Sequence, residues 1–310
     1  MKRSSFLKTG AALAAGTLIA PAVVSAEDLK KKPLRFAHIT DIHVKPGSIP
    51  ETGMAKALHH VQQSAYTPSF ILNTGDSIMD ALEADKNKVQ TQWDVFNRIL
   101  KNENSLAIRH AIGNHDVWGW FVKENKPVND QLYGKQWVKE LLQLSERYYS
   151  FEQGNWTFIV LDSVQLNPAG GYIAYLDELQ MAWLKQTLEA IPKERFICIA
   201  SHIPILSVCA GLFFNKTETN GDLLTKRNLM HTDFFALKNL FKNHPNIKCC
   251  ISGHIHLQDE VEYLGIKYYC NGAVSGNWWG GAFQDFNPAY TIMELYPDGN
   301  TKRIMVDYNT

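Results

Sequence analysis

Leu34-Arg35-Phe36-Ala37-His38-Ile39-Thr40-Asp41-Ile42-His43 passes within one short stretch from an apolar run to an aspartate and a histidine. A run of this length, rich in β-branched and aromatic side chains, has the pattern of a buried strand. The same passage from apolar to polar recurs four times. Phe70–Thr74 leads into Gly75-Asp76, Ala107–Ile112 into Gly113-Asn114-His115-Asp116, Phe196–Ala200 into Ser201-His202, and Lys248–Ile251 towards Gly253-His254-Ile255-His256; Phe158–Leu161 is a sixth run of the kind. Stretches with apolar spacing near 3.6 fall at Met54–Ala65, Gln90–Asn102, Gln136–Arg147, Leu176–Ala190 and Asp233–Lys242. Strands alternating with helices predict an α/β fold with right-handed crossovers and a largely parallel sheet.

Beyond Gly253 the pattern becomes Glu260–Leu264, Ile266–Cys270, Tyr290–Glu294 and Thr301–Tyr308, with turn signals at Leu264-Gly265 and Asp298-Gly299. Tight hairpins of this kind predict an antiparallel sheet packed on the first. Irregular loops are expected at Asn125–Gly134, Gln165–Gly171 and Cys209–Asn228. No repeat or linker interrupts residues 27–310, which read as one domain.

Residues 1–26 differ from the rest. A basic start (Lys2, Arg3, Lys8), a small apolar stretch from Ala11 to Val24 and the end Val24-Ser25-Ala26 read as a cleaved export signal. Arg3-Ser4-Ser5-Phe6-Leu7-Lys8 resembles a twin-arginine signal with Ser4 in place of the second arginine. The apolar stretch is short of the ~20 residues of a spanning helix, so no stable membrane span is expected after cleavage. The protein is expected in the periplasm or outside the cell.

The 310 residues carry 31 basic and 31 acidic side chains, and no basic block marks a nucleic-acid footprint, which argues against a polymeric nucleic-acid partner. The five cysteines include no C-x-x-C pair, and Cys198, Cys249, Cys250 and Cys270 sit in strand-like runs as small buried hydrophobes. The sequence leaves the oligomeric state open.

Alternation along an extended chain would put Asp41 and His43 on one side, able to share an ion. Asp76 has two carboxylate oxygens, one for each of two metals. Gly113 would permit an unusual φ beside Asn114, a neutral oxygen ligand that keeps an ion electrophilic. His115 adjoins a ligand without needing to be one. As imidazolium it would balance charge on phosphorus or protonate the leaving oxygen, with Asp116 orienting its ring. His202, His254 and His256 complete a set of imidazole, carboxylate and amide donors without thiolate, which suits two divalent ions, manganese, iron or zinc. Two such ions roughly 3.5–4 Å apart are the usual apparatus for attacking phosphorus with metal-bound hydroxide. Trp118, Trp120 and Phe121, together with Asn277, Trp278 and Trp279, are placed to contact the substrate, and Phe213-Phe214 to cover it.

These ordered motifs resemble the calcineurin-like metallophosphoesterase family, and most closely the class III cyclic-nucleotide phosphodiesterase group. The resemblance implies a two-sheet mixed β-sandwich flanked by helices in four layers. It implies one metal on Asp41, His43, Asp76 and His256, a second on Asp76, Asn114, His202 and His254, and His115 with Asp116 as the catalytic pair. Met79 stands where the related purple acid phosphatases carry a metal-binding tyrosine. The expected protein is an exported dinuclear-metal phosphoesterase acting on a small phosphomonoester or phosphodiester. The alternatives are an envelope metal-binding protein without turnover and a dimetal amide hydrolase.

Overall fold

The computed structural model describes residues 32–214 and 216–309; the segment read as an export signal lies outside the described residues. Residues from Pro33 onward form one compact unit. Its elements are β1 (Leu34–Ile39), α1 (Ser48–Gln63), β2 (Ile71–Asn73), α2 (Lys86–Glu103), β3 (Ile108–His110), α3 (Gln136–Leu141), β4 (Tyr149–Gln153), β5 (Trp156–Val160), β6 (Val164–Leu166), β7 (Tyr172–Ala174), α4 (Glu178–Ala190), β8 (Phe196–Ala200), α5 (Val208–Phe213), β9 (Lys216–Thr217), β10 (Leu223–Leu224), α6 (Phe234–Phe241), β11 (Ile247–Ser252), β12 (Asp259–Tyr263), β13 (Ile266–Cys270), β14 (Ala289–Leu295) and β15 (Thr301–Asp307).

Two mixed sheets face each other. The first runs β15-β14-β1-β2-β3 and the second β12-β13-β11-β8-β5-β4. β1, β2 and β3 are parallel, as are β5, β8, β11 and β13, while β14, β15, β4 and β12 join their neighbours antiparallel. Central strands covered on both faces need near-continuous apolar runs, and β5, β8 and β11 supply them. Phe36 faces the other sheet with Leu72, Phe158, Cys198, Cys249 and Met293, whereas its neighbour Ala37 faces Met54, Leu58, Trp93 and Phe96 on α1 and α2. In the second sheet Cys249 points inward and Cys250 outward, against Leu184 and Leu188 of α4 and Leu237 and Phe241 of α6. The layers are therefore helix, sheet, sheet, helix. All five cysteines are free thiols.

The hairpins of the second half do not build a sheet of their own. β12 and β13 extend the second sheet and β14 and β15 extend the first, because each half of the meander has an open sheet edge to pair with. α1 starts before the expected Met54, at Ser48, with Pro50 in its first turn where a missing N–H costs nothing. α2 and α4 start where Asp85 and Asp177 cap them through Lys88 N and Gln180 N. α3 ends at Leu141 rather than Arg147, since Gln143 turns the chain with φ 54° and Arg147 is drawn away to Asp162 and Asp177. Two of the expected loops contain structure: β6 and β7 form a hairpin around Gln165–Gly171, and α5, β9 and β10 fill much of Cys209–Asn228.

Directly after β5 the fully buried Asp162 accepts from Lys135 at 2.5 Å and from Arg147 at 2.8 Å. The next residue, Ser163, accepts from Ile203 N beside His202 and so braces that loop. Removing one member of a buried ion pair leaves the others uncompensated, at a cost of about 3–5 kcal/mol. Asp162→Ala is expected to lose stability on that scale in urea unfolding at pH 7, and a loss under about 1 kcal/mol would mean that the network contributes little.

Candidate metal centre

All the polar strand ends lie at the carboxyl edges of the parallel strands, the place where open α/β sheets bind ligands. β1 delivers Asp41 and His43, β2 Asp76, β3 Asn114 and His115, β8 His202, and β11 His254 and His256. Main-chain hydrogen bonds lock the loops together: Asp41 N to Gly75 O, His43 N to Asp76 O, Gly253 N to His202 O and Ser275 N to Asp41 O.

Strand alternation is not what brings Asp41 and His43 together, because β1 has already ended at Ile39. Both adopt left-handed backbone, φ 52° and 48°, as do Asp76 (52°), His254 (74°) and His256 (57°). Such conformations are strained for residues with a Cβ and gather at functional sites. Gly113, by contrast, has no positive φ; a Cβ there would lie 2.1 Å from Asp76 N and 2.2 Å from Asp76 Oδ1, so glycine is required for close approach.

The donors form two adjoining clusters. His43 Nε2 lies 3.0 Å from His256 Nε2, and Asp41 Oδ1 is 3.5 Å from the latter and 3.9 Å from the former. His202 Nε2 lies 2.9 Å from Asn114 Oδ1 and 3.1 Å from His254 Nδ1. Asp76 Oδ2 stands between the clusters, 3.6 Å from His43 Nε2 and 3.3 Å from His202 Nε2. Its other oxygen, Oδ1, accepts from His115 N at 2.7 Å. A single oxygen therefore faces both clusters, in place of the one oxygen per metal expected.

The outer ring nitrogens donate to backbone carbonyls: His202 Nδ1 to Thr74 O, His254 Nε2 to Asn228 O, and His256 Nδ1 to Gly276 O. That fixes the neutral tautomers and turns a lone pair inward from each ring, the arrangement typical of metal-ligating histidines. At the His202–His254 contact two such lone pairs would face one another 3.1 Å apart, and His43 Nδ1 and Asp41 Oδ1 are buried with no hydrogen-bond partner. A bound cation, or a proton on His202 in its place, reconciles them. The donor set fits two divalent ions, with Asp41, His43 and His256 grouped on one side, Asp76, His202 and His254 on the other, and His115 within reach of His43 and Asp76.

Without an ion, the buried carboxylates favour a proton on one of these rings instead. Burial and the neighbouring rings push the His43 pKa well below the usual range, and burial with the His202 charge takes His254 down to about 3. Burial also opposes charge on His202, but Asp76, Asp41 and Asp116 outweigh it and raise its pKa to about 9. Burial would raise Asp76 too, yet His202, His115 and His43 hold it well below the carboxylate range.

Asp116 does not orient His115. Its Oδ1 accepts from Ser77 N and its Oδ2 from Gly113 N, so it ties the two aspartate-bearing turns together, and burial beside Asp76 raises its pKa to about 6. The group facing His115 is Asp80, whose Oδ1 lies 3.7 Å from Nδ1; the sequence reading missed it. It also missed the inner brace in which Asn271 Nδ2 donates to His38 Nδ1 and His38 Nε2 to Thr74 Oγ1, behind the carbonyl that holds His202. Burial takes the His38 pKa to about 3.

A cleft of about 160 Å³ opens over the clusters, lined by His43, Asp76, Asn114, His115, Tyr172, Phe214, Leu229, His254, Ile255, His256 and Trp278. Trp278, 39% exposed, stacks on His256 at 4.2 Å, and Phe283 bridges Trp278 to Phe214. Trp118 and Trp120 are not substrate contacts: at 4% and 7% exposure they pack in the core with Trp137 and beneath Lys135. Asn277 forms the turn to Gly280 and Gly281 outside the cleft, and Trp279 donates from its ring to His43 O. Phe213 points outward, 50% exposed, while Phe214 reaches the cleft.

Residues 34–258 match the family described as calcineurin-like phosphoesterase. A 3',5'-cyclic-nucleotide phosphodiesterase of Nostoc sp. is 25% identical over 90% of this chain and 95% of its own length. The 3',5'-cyclic adenosine monophosphate phosphodiesterase CpdA of Pseudomonas aeruginosa is 21% identical over 79% and 77%. Among solved structures, a dimetal phosphatase from Danio rerio superimposes with a TM-score of 0.56 at 15% identity, covering 89% of this chain and 99% of the other.

Proposed function

Because the chain belongs to the calcineurin-like phosphoesterase family and is a metal-dependent phosphoesterase, we propose that it cleaves small phosphodiesters, with His115 as the proton donor. Asp41, His43, Asp76 and His256 would hold one ion, and Asp76, Asn114, His202 and His254 the other. When bound, the two ions supply Lewis acidity and bring the pKa of a water down towards ~7, giving a nucleophile at neutral pH. His115 lines the cleft beside His43 and Asp76, with its ring facing Asp80. From there it protonates the leaving oxygen.

The observation carrying the proposal is the composition of the cleft wall. Among its described lining residues none is Lys or Arg. Arg and Lys are common partners of phosphate oxygens, so a wall without them suits the single charge of a diester better than a monoester dianion. The exposed Trp278 adds a face on which a planar leaving group can rest. The two phosphodiesterase relatives make a 3',5'-cyclic nucleotide the first natural diester to try.

Metal-loaded protein is assayed on bis(4-nitrophenyl) phosphate, 4-nitrophenyl phosphate, a 3',5'-cyclic nucleotide and a dipeptide. The expected result is a kcat/KM for the aromatic diester at least about tenfold above the monoester, or ~1.4 kcal/mol of transition-state preference. A faster monoester overturns the diester assignment. Metal uptake without hydrolysis of any substrate would favour the binding-protein alternative. Trp278→Ala is expected to lower the aromatic diester rate about fivefold, in line with ~1 kcal/mol per aromatic contact, and to spare dimethyl phosphate.

We also propose that residues 1–26 direct export and are removed, on the strength of the basic start, apolar stretch and Val24-Ser25-Ala26 end. Among the described residues no helix is long and apolar enough to cross a membrane. N-terminal sequencing of protein recovered from cell fractions is expected to begin at Glu27; a chain beginning at Met1 in the cytosolic fraction would refute export.

A further inference from the structure

The excursion between β8 and α6 is mostly exposed or half-buried over the described residues of 208–228. α5 buries only Ala210, and β9 and β10 are exposed throughout. It is nevertheless tied down at both ends. Asp259 Oδ2 accepts from Ser207 Oγ and Cys209 N at its start, and Ala174 N donates to Arg227 O near its end. One residue later, the Asn228 carbonyl accepts from His254 Nε2 at 2.8 Å, and the Asn228 side chain hydrogen-bonds Tyr172. Tyr172 in turn stacks on Phe121, which packs against the core of the first sheet.

We infer that Asn228 and Tyr172 are positioning residues for the second cation, acting through His254. The inference rests on the dimetal assignment above. The Asn228 carbonyl is what puts the His254 proton on Nε2 and leaves Nδ1 bare towards His202 and Asp76. Rotation of the ring, or the other tautomer, would remove one donor from that subsite only, since His254 is absent from the Asp41–His43–His256 group. A partner that orients a metal-ligating histidine is typically worth 10–100-fold in affinity. The same segment carries Phe214 and Leu229 into the cleft. Cation binding and the placement of substrate contacts are thereby coupled, and coupling in equilibrium binding is reciprocal.

Co²⁺ titration followed by visible absorption and calorimetry tests this on the full mature chain. Wild type is expected to bind two ions in resolvable phases. Asn228→Ala and Tyr172→Phe keep the Asn228 carbonyl but remove the side-chain hydrogen bond that places it, so affinity at one of the two sites should fall about tenfold with an altered ligand-field spectrum, while the other site is unchanged. Unchanged spectra and affinities in both variants, or equal loss at both sites, would overturn the inference. Hydrogen exchange on wild type provides a reading that does not depend on variants folding. Filling the second site should slow exchange at residues 226–230, and identical exchange with one and two ions bound would also overturn it. Failure of wild type to bind any Co²⁺ would instead refute the dimetal assignment.

Discussion

Asp76→Ala is expected to strip the protein of both cations and of all measurable turnover. Asp76 Oδ2 stands between the clusters, 3.6 Å from His43 Nε2 and 3.3 Å from His202 Nε2. Its second oxygen holds the His115 amide, so the substitution also frees the turn that carries Asn114. Losing such a group should weaken binding by more than the ~100-fold that outer partners of a metal site command. Metal content after desalting, measured by mass spectrometry, checks it. Two ions retained per chain would show that the clusters do not share Asp76.

His115→Ala should separate the two roles of that segment. The His115 ring is outside the two sets of donors assigned to the cations, and the group it faces is Asp80 at 3.7 Å. Metal content is expected to stay near wild type while kcat falls by about 10²–10⁴, the usual contribution of a positioned acid. The loss should shrink on esters with a good leaving group such as 4-nitrophenolate, which needs no proton, and remain full on alkyl esters. Metal loss equal to that of Asp76→Ala would end the division of labour between the two residues.

The sequence made the ligands legible and left their support obscure, for physical reasons. Apolar runs ending in acid or imidazole are visible one strand at a time, and covered strands such as Phe196–Ala200 need no partner to be read. Which sheet an antiparallel hairpin joins depends on which edge is free, and that is a property of the assembled chain; β12–β13 and β14–β15 went to different sheets for this reason. Asp116 looked like the partner of His115 because it is adjacent, yet adjacent side chains diverge. The backbone amides of Gly113 and Ser77 claimed its carboxylate first. Asp80 and Asn228 lie in turns without motif spacing, and only folding brings them to the rings. Trp118 and Trp120 followed the right motif, but a chain leaving a turn beside a helix buries its large rings, and both entered the core.

Five of the candidate ligands hold left-handed backbone, each at a cost of about 1 kcal/mol or more. Together that approaches the whole margin by which an ordinary domain stays folded, about 5–15 kcal/mol. The fold thus gives up part of its thermal reserve to aim its donors, and ions that bind only the native state restore that reserve by mass action. Glycine at Asp41 or Asp76 would relieve that backbone strain but forfeit the ions and the backbone amides each carboxylate holds. Chelation, for the same reason, should shorten the protein's working life as well as stop its chemistry.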